Sequence, residues 1–241
     1  LKVEPTYIRR SPYVPTANFV PTVRAAEAGI KINPRGLLYC VPSVSSYVGG
    51  DAVAGVLSCG MDKEDDLCLL IDIGTNGEIV LGDKDFLISC SASAGPAFEG
   101  SGVAFGMRSS AGAIQNVKIN PKDLKVSFDT IAGQKPRGIC GSGYIDIVAE
   151  MLRAGIIDKS GMIKTLNNER IRQAEFGKEF VIAFKDETQT DFDIVITEAD
   201  IENIKRAKAA IFAGASILVR HMGFDFKDIK KVFIAGGFGS Y

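Results

Sequence analysis

Asp72 closes a five-residue apolar run, LCLLI at 67–71, and opens a glycine-rich turn, DIGTNGE at 72–78. The run is too short for a typical helix and suits a buried strand. Gly74, Thr75, Asn76 and Gly77 supply the turn chemistry that sends the chain back as a second strand. A carboxylate at a strand end, beside bare backbone N–H groups and a hydroxyl, is what a magnesium-bound polyphosphate requires. The same residues also suit an ordinary hairpin in which Asp72 caps its own turn.

Two further glycine-rich turns stand at junctions of regular structure, GICGSG at 138–143 and AGGFGS at 235–240. Each is weak by itself. GSG before a helix can be a short loop with Ser142 as N-cap, and GGFG after a strand can be a tight turn packed on its own sheet. Taken together the turns supply complementary parts: a hairpin for metal and phosphate, a helix N-terminus, and backbone flat enough for a purine.

The 241 residues suffice for one large α/β domain or two small ones, with a core of useful size. A net charge of -1 leaves no electrostatic footprint for nucleic acid or an acidic membrane surface. No run approaches the roughly 20 apolar residues that cross a bilayer, and no signal peptide opens the chain, so cytoplasmic residence is the expectation. The five cysteines, Cys40, Cys59, Cys68, Cys90 and Cys140, form no C-x-x-C pair, and the single histidine, His221, has no ligand-spaced partner. Structural zinc or an iron–sulfur cluster within these residues is therefore not expected. Leu1 is not a starting methionine and Tyr241 follows a glycine-rich loop that should lead into a helix, so both ends read as cuts in a longer protein.

The elements that must position these turns are legible in part. Residues 1–40 carry Pro5, Pro12, Pro15, Pro21 and Pro34 and read as loops wrapping a neighbouring structure. A helix capped by Ser43 or Ser45 is expected through about Cys59, with Val48, Ala52, Val56 and Leu57 on one face. The acidic stretch at 61–66 reads as a solvated turn. A third antiparallel strand is expected over 86–91, and residues 111–135 read as a polar, β-containing insertion. Gly95, Gly100, Gly102 and Gly106 mark backbone that approaches something closely. A helix follows GICGSG and stops at Gly155. Strands near 180–184 and 192–196 precede the longest helix, capped by Thr197 with Asp200 at the capping-box position and striped by Ile201, Ile204, Ile211, Phe212, Ala215 and Leu218. Residues 230–235 read as a final buried strand.

At this point the chain resembles a family. DIGTNGE is similar to the second phosphate loop of the actin, sugar kinase and Hsp70 superfamily. VPSVSSYVGGDAVAGVLSCG at 41–60 resembles its first connecting helix, and VFIAGGFGS at 232–240 its adenosine loop. More narrowly, LLIDIGTNGEIVLG, SCSASAGPAFEG, GICGSG and IAGGFGSY resemble the ATPase domain of reductive activators of corrinoid proteins. The resemblance implies an α/β fold, an actin-like ATPase (ribonuclease H-like) subdomain with a central mixed sheet flanked by helices. It divides the chain into the tail of a first subdomain (1–40), a connecting helix and turn (41–66), and a second subdomain (67–241). The superfamily's first phosphate loop and second connecting helix, and the cysteines of an iron–sulfur cluster, are expected in other parts of the parent protein.

The resemblance also implies roles. Asp72 would hold magnesium through water, and Gly74, Thr75, Asn76 and Gly77 would face the β- and γ-phosphates of ATP. Gly141, Ser142 and Gly143 would lie near phosphate or ribose, and Gly236, Gly237, Phe238 and Gly239 would border the adenine. Glu78 and Asp51 are candidates to orient the attacking water, since phosphoryl transfer depends on positioning and charge neutralisation. Glu78 can equally point outward from its strand, and Asp51 can equally cap its own helix. Glu99 reads as a turn carboxylate, His221 as a helix-terminal residue facing the dipole, and Arg108 and Arg137 as carbonyl or phosphate partners. The implied function is ATP-dependent restoration of a Co(II) corrinoid protein of a methyltransferase system to Co(I), with a homodimer left open. The alternatives are a small-molecule kinase for a sugar or acetate-type acceptor, and a nucleotide-binding module without turnover.

Overall fold

The computed structural model describes residues 4–237. In chain order its strands are β1 (Val23–Arg24), β2 (Leu37–Leu38), β3 (Cys68–Ile73), β4 (Gly77–Gly82), β5 (Leu87–Ala92), β6 (Ala113–Ile119), β7 (Val126–Thr130), β8 (Gly138–Ile139), β9 (Ile171–Ala174), β10 (Gly177–Ala183), β11 (Ile194–Thr197) and β12 (Lys231–Ala235). The α-helices are α1 (Gly50–Cys59), α2 (Gly141–Arg153) and α3 (Glu198–His221). Two compact units result. The first takes the chain up to Asp72 with Glu78–Ala92 and Gly214–Ala235; the second takes Ile73–Gly77, Ser93–Ala213 and the residues from Gly236.

The first unit is built on a mixed sheet in the order β12-β3-β4-β5. β3, β4 and β5 follow one another through tight turns, as the sequence predicts. β12 arrives from far along the chain and pairs in parallel with β3, with Ala235 opposite Asp72. Val56 of α1 joins Met61, Cys68, Leu70 and Val80 in a buried cluster, against which Cys59, Phe233 and Ala235 pack. Burying each large apolar side chain contributes about 1.5–3 kcal/mol, so this cluster fixes the strand that carries Asp72.

The structure differs from four expectations. α1 begins at Gly50, with Gly49 at the N-cap position and no side-chain cap; the preceding residues form a tight turn bridged between Ser45 and Val48, where the Val44 N–H donates to the Val48 carbonyl at 2.9 Å. Leu57 is exposed, because it lies about 100° around the helix from Val56. The acidic turn is not simply solvated: Met61 is fully buried, Asp65 pairs with Lys84 at 2.8 Å, and Glu64 pairs with Lys231. β12 is buried on one face only, since Phe233 packs inward while Val232 and Ile234 alternate outward. In residues 4–40 the short β1–β2 pair is the one regular sheet, and the rest is largely irregular, as the prolines predict.

The second unit carries two three-stranded sheets, β7-β6-β8 and β11-β10-β9. The β6–β7 hairpin is the anticipated insertion, and β6 also pairs in parallel with β8. α2 packs on β6 through buried Tyr144, Ile147 and Met151, and its Glu150 accepts from the Ile119 N–H at 2.8 Å. α3 opens with the expected capping box: Thr197 Oγ1 accepts from the Asp200 N–H at 3.1 Å, and Asp200 Oδ2 accepts from the Thr197 N–H at 2.9 Å. Within the expected stripe Phe212 is exposed, being about 100° around the helix from the buried Ile211.

Candidate nucleotide site

Asp72 sits near the end of β3, directly beside Ala235 of β12. The strands that deliver DIGTNGE and AGGFGS therefore end side by side and point the same way. That is the place where open α/β sheets bind ligands, outside the carboxyl ends of neighbouring parallel strands. Burial raises the pKa of the Asp72 carboxyl, and the nearby Asp51 carboxylate raises it further. Asp51 lies exposed in the first turn of α1, where its Oδ1 accepts from the Ala52 N–H at 2.9 Å. That bond is local to the first turn of α1, and the carboxylate also presents charge to Asp72. A carboxyl whose ionisation is disfavoured by a neighbouring carboxylate is relieved by a divalent cation. Among the described residues no group of three or more His, Cys, Asp or Glu side chains could hold a metal. This donor set suits magnesium, which keeps several waters and takes one or two carboxylates plus phosphate oxygens.

In the turn itself the Gly74 N–H donates to the Asn76 carbonyl at 2.9 Å, so that donor is used internally. Thr75 and Asn76 form the exposed tip and Gly77 is buried. A Cβ at Gly77 would lie 2.7 Å from Ile211 Cγ1, so only glycine lets the turn lie on α3. Glu78, half-buried on β4, does not hang free: its Oε1 accepts from the Ser91 hydroxyl of β5 at 3.0 Å. The only sequence signals at Ser91 are its place in the small-residue run SCSASAG and in the expected third strand.

GICGSG is built in the second unit. β8 supplies Gly138, and α2 starts at Gly141 with Cys140 at the N-cap position and no side-chain cap. Ser142 is therefore in the first helical turn and is not the N-cap. The Cys140 thiol donates to the Ile114 carbonyl at 3.2 Å and lies 3.3 Å from Ser142 Oγ. Two of the glycines have packing reasons, for a Cβ would lie 2.6 Å from the Phe105 carbonyl at Gly138 and 2.3 Å from the Ile114 carbonyl at Gly143. The N–H groups of Gly141, Ser142 and Gly143 still have no intrahelical acceptor and carry the positive end of the helix dipole.

Past Ala235, Gly236 has a left-handed φ of 87° and Gly237 has open space around it; Phe238 and Gly239 lie outside the described residues. The Arg137 stem packs against Gly112, Arg108 is exposed, and His221 ends α3 beside Arg220, where a cation suits the dipole. Among the described residues no helix is long and apolar enough to cross a membrane.

A mixed sheet of this order, flanked by helices and ending in glycine-rich turns, defines an α/β domain of the nucleotide-binding ASKHA type. The chain belongs to the family of the C-terminal ASKHA domain of RACo, whose model matches residues 66–241, and residues 1–64 match the RACo middle region. It is 33% identical to the corrinoid activation enzyme RamQ of Eubacterium limosum, over all of this chain and 41% of that protein. It is 28% identical to the [Co(II) methylated amine-specific corrinoid protein] reductase of Methanosarcina barkeri, over 83% of this chain and 37% of that one. Among solved structures, a reductive activator for corrinoid, iron-sulfur protein superposes with a TM-score of 0.89 at 55% identity, over 98% of this chain and 38% of that chain. The chain spans about two fifths of the length of these relatives.

Proposed function

We propose that this chain is the ATP-binding part of an ATP-dependent reductive activator that returns a Co(II) corrinoid protein to the Co(I) state. The observation that carries the reading is the parallel register of β3 and β12, which delivers DIGTNGE and AGGFGS from adjacent strand ends in a chain of the RACo ASKHA family. Residues 67–241 would form the second actin-like subdomain, residues 41–66 the connecting helix and turn, and residues 1–40 the tail of the first.

In this reading Asp72 holds magnesium, with Asp51 adding negative charge nearby. The tip at Thr75 and Asn76 faces the β- and γ-phosphates, the N-terminal turn of α2 faces phosphate or ribose, and Gly236 and Gly237 border the adenine. Glu78, held by Ser91, and Asp51 orient the attacking water. Magnesium supplies charge neutralisation at the phosphates when bound. Re-reduction of the corrinoid is uphill, so nucleotide binding must favour a conformation in which the corrinoid protein accepts an electron. That electron comes from an iron–sulfur cluster in the remainder of the parent, and the setting is cytoplasmic.

The test is reconstitution of the full-length protein with a Co(II) corrinoid protein, magnesium, ATP and a low-potential reductant, following the Co(I) absorbance. ATP-dependent Co(I) formation is expected. Phosphorylation of a sugar or acetate with no Co(I) signal would instead make the protein a small-molecule kinase. Tight ATP binding with neither outcome would make it a nucleotide-binding module without turnover.

A further inference from the structure

A segment of the glycine-rich stretch before β6 is held from several sides within the second unit. Asp200, only 3% exposed in the first turn of α3, accepts from the Ala104 N–H through Oδ1 at 2.9 Å. Its other oxygen, Oδ2, accepts from the Thr197 N–H. Tyr144, fully buried in the first turn of α2, accepts from the Phe105 N–H at 3.2 Å. Asn203, three residues beyond Asp200, donates through Nδ2 to the Gly102 carbonyl at 2.8 Å. The segment then pairs with β8: the Ile139 N–H donates to the Phe105 carbonyl at 2.8 Å, and the Met107 N–H donates to the Ile139 carbonyl at 2.9 Å. β8 runs directly into the N-terminal turn of α2.

Neither side chain is explained by packing alone. Capping α3 accounts for Oδ2 of Asp200, but Oδ1 reaches a residue 96 positions away. A buried carboxylate is costly unless its oxygens are satisfied, and the capping box occupies only one of the two. At Tyr144 a phenylalanine would fill the same volume, so the hydroxyl is there for its hydrogen bond.

We infer that Asp200 and Tyr144 are positioning residues for nucleotide binding, fixing through residues 102–107 the place of β8 and hence of the N–H groups at 141–143. The inference rests on the reading of those N–H groups as a phosphate or ribose contact. Donors at a helix N-terminus act on an anion only when aligned with it, and a displacement on the order of 1 Å can cost a hundredfold. The chain here secures that alignment from two helices, one of which also bears the donors.

The test uses the full-length protein with Tyr144→Phe, Asp200→Asn and the double variant. ATP affinity is measured by calorimetry, KM and kcat by turnover, and folded fraction by thermal melting. Each single change should weaken ATP binding and raise KM by about tenfold, the scale set by one buried donor left unpaired, while kcat at saturating ATP stays within about twofold. The double variant should lose less than the product of the two, because both act on one segment. Unchanged ATP affinity in both single variants, with a wild type that binds ATP, would overturn the positioning role. So would a loss that merely tracks the unfolded fraction. A wild type that binds no ATP would overturn the nucleotide reading, and this inference with it.

Discussion

Asp51, in the first turn of α1, raises the pKa of Asp72 on β3 above the level that burial by itself sets. The folded protein therefore holds the Asp72 proton at pH values where the unfolded chain has released it. Its contribution to stability is favourable in acid and is lost as pH rises through the elevated folded pKa. In metal-free buffer Asp51→Asn should move the Asp72 titration, followed by carboxyl-carbon NMR, down toward the ordinary aspartate range. A titration that stays in place would assign the whole shift to burial.

The same pair makes a prediction about the metal. Asp72→Ala in the full-length protein should weaken magnesium–ATP binding by about a hundredfold or more, the usual scale for truncating a buried charge partner. Calorimetry in magnesium and again in EDTA checks it. A variant that binds magnesium–ATP as wild type does would remove Asp72 from the metal site.

Glu78 is held by Ser91 at 3.0 Å, and this predicts a graded effect on turnover. Glu78→Gln should slow ATP hydrolysis by about 10²–10⁴-fold if the carboxylate orients or deprotonates water. Ser91→Ala frees the carboxylate without removing it, so it should slow turnover by about tenfold with KM unchanged. Wild-type rates in both variants would show that Glu78 is only a strand residue.

Glu150 predicts an acid-sensitive support for α2 on β6. The Arg153 side-chain hydrogen bond, aided by the Ile119 N–H against the opposing cost of burial, lowers its pKa from 4.5 to about 2. Its stabilising contribution is present above the ordinary glutamate range and is lost as pH falls toward 2. Glu150→Gln should cost about 1–3 kcal/mol at neutral pH, and the gap to wild type should close as pH falls toward 2. Urea denaturation at neutral, mildly acidic and strongly acidic pH measures both parts.

Gly143 and Gly237 form a contrasting pair. A Cβ at Gly143 would lie 2.3 Å from the Ile114 carbonyl, whereas one at Gly237 meets nothing within 4 Å. Gly143→Ala should therefore destabilise the protein by about 1–3 kcal/mol, while Gly237→Ala should leave thermal stability within about 0.5 kcal/mol of wild type. Equal melting temperatures for the two would contradict the close approach of α2 to β6.

Where a signal is carried by adjacent residues, the amino-acid order was enough. The run 67–71 with its glycine turn predicts the β3–β4 hairpin, Thr197 and Asp200 predict the start of α3, and proline density predicts the largely irregular backbone of residues 4–40. Period, turn chemistry and capping act within a few residues, so nothing distant is needed to read them. Distant partners decided the rest. The pairing of Asp72 with Ala235, the carboxylate of Asp51 beside Asp72, the grip of Ser91 on Glu78 and the reach of Asp200 to Ala104 all join residues far apart in the chain. At Gly77, Gly138 and Gly143 it is Ile211, the Phe105 carbonyl and the Ile114 carbonyl that come too close for a side chain. A glycine declares only that its backbone is bare; what approaches it is set by which strand and helix the folded chain brings alongside.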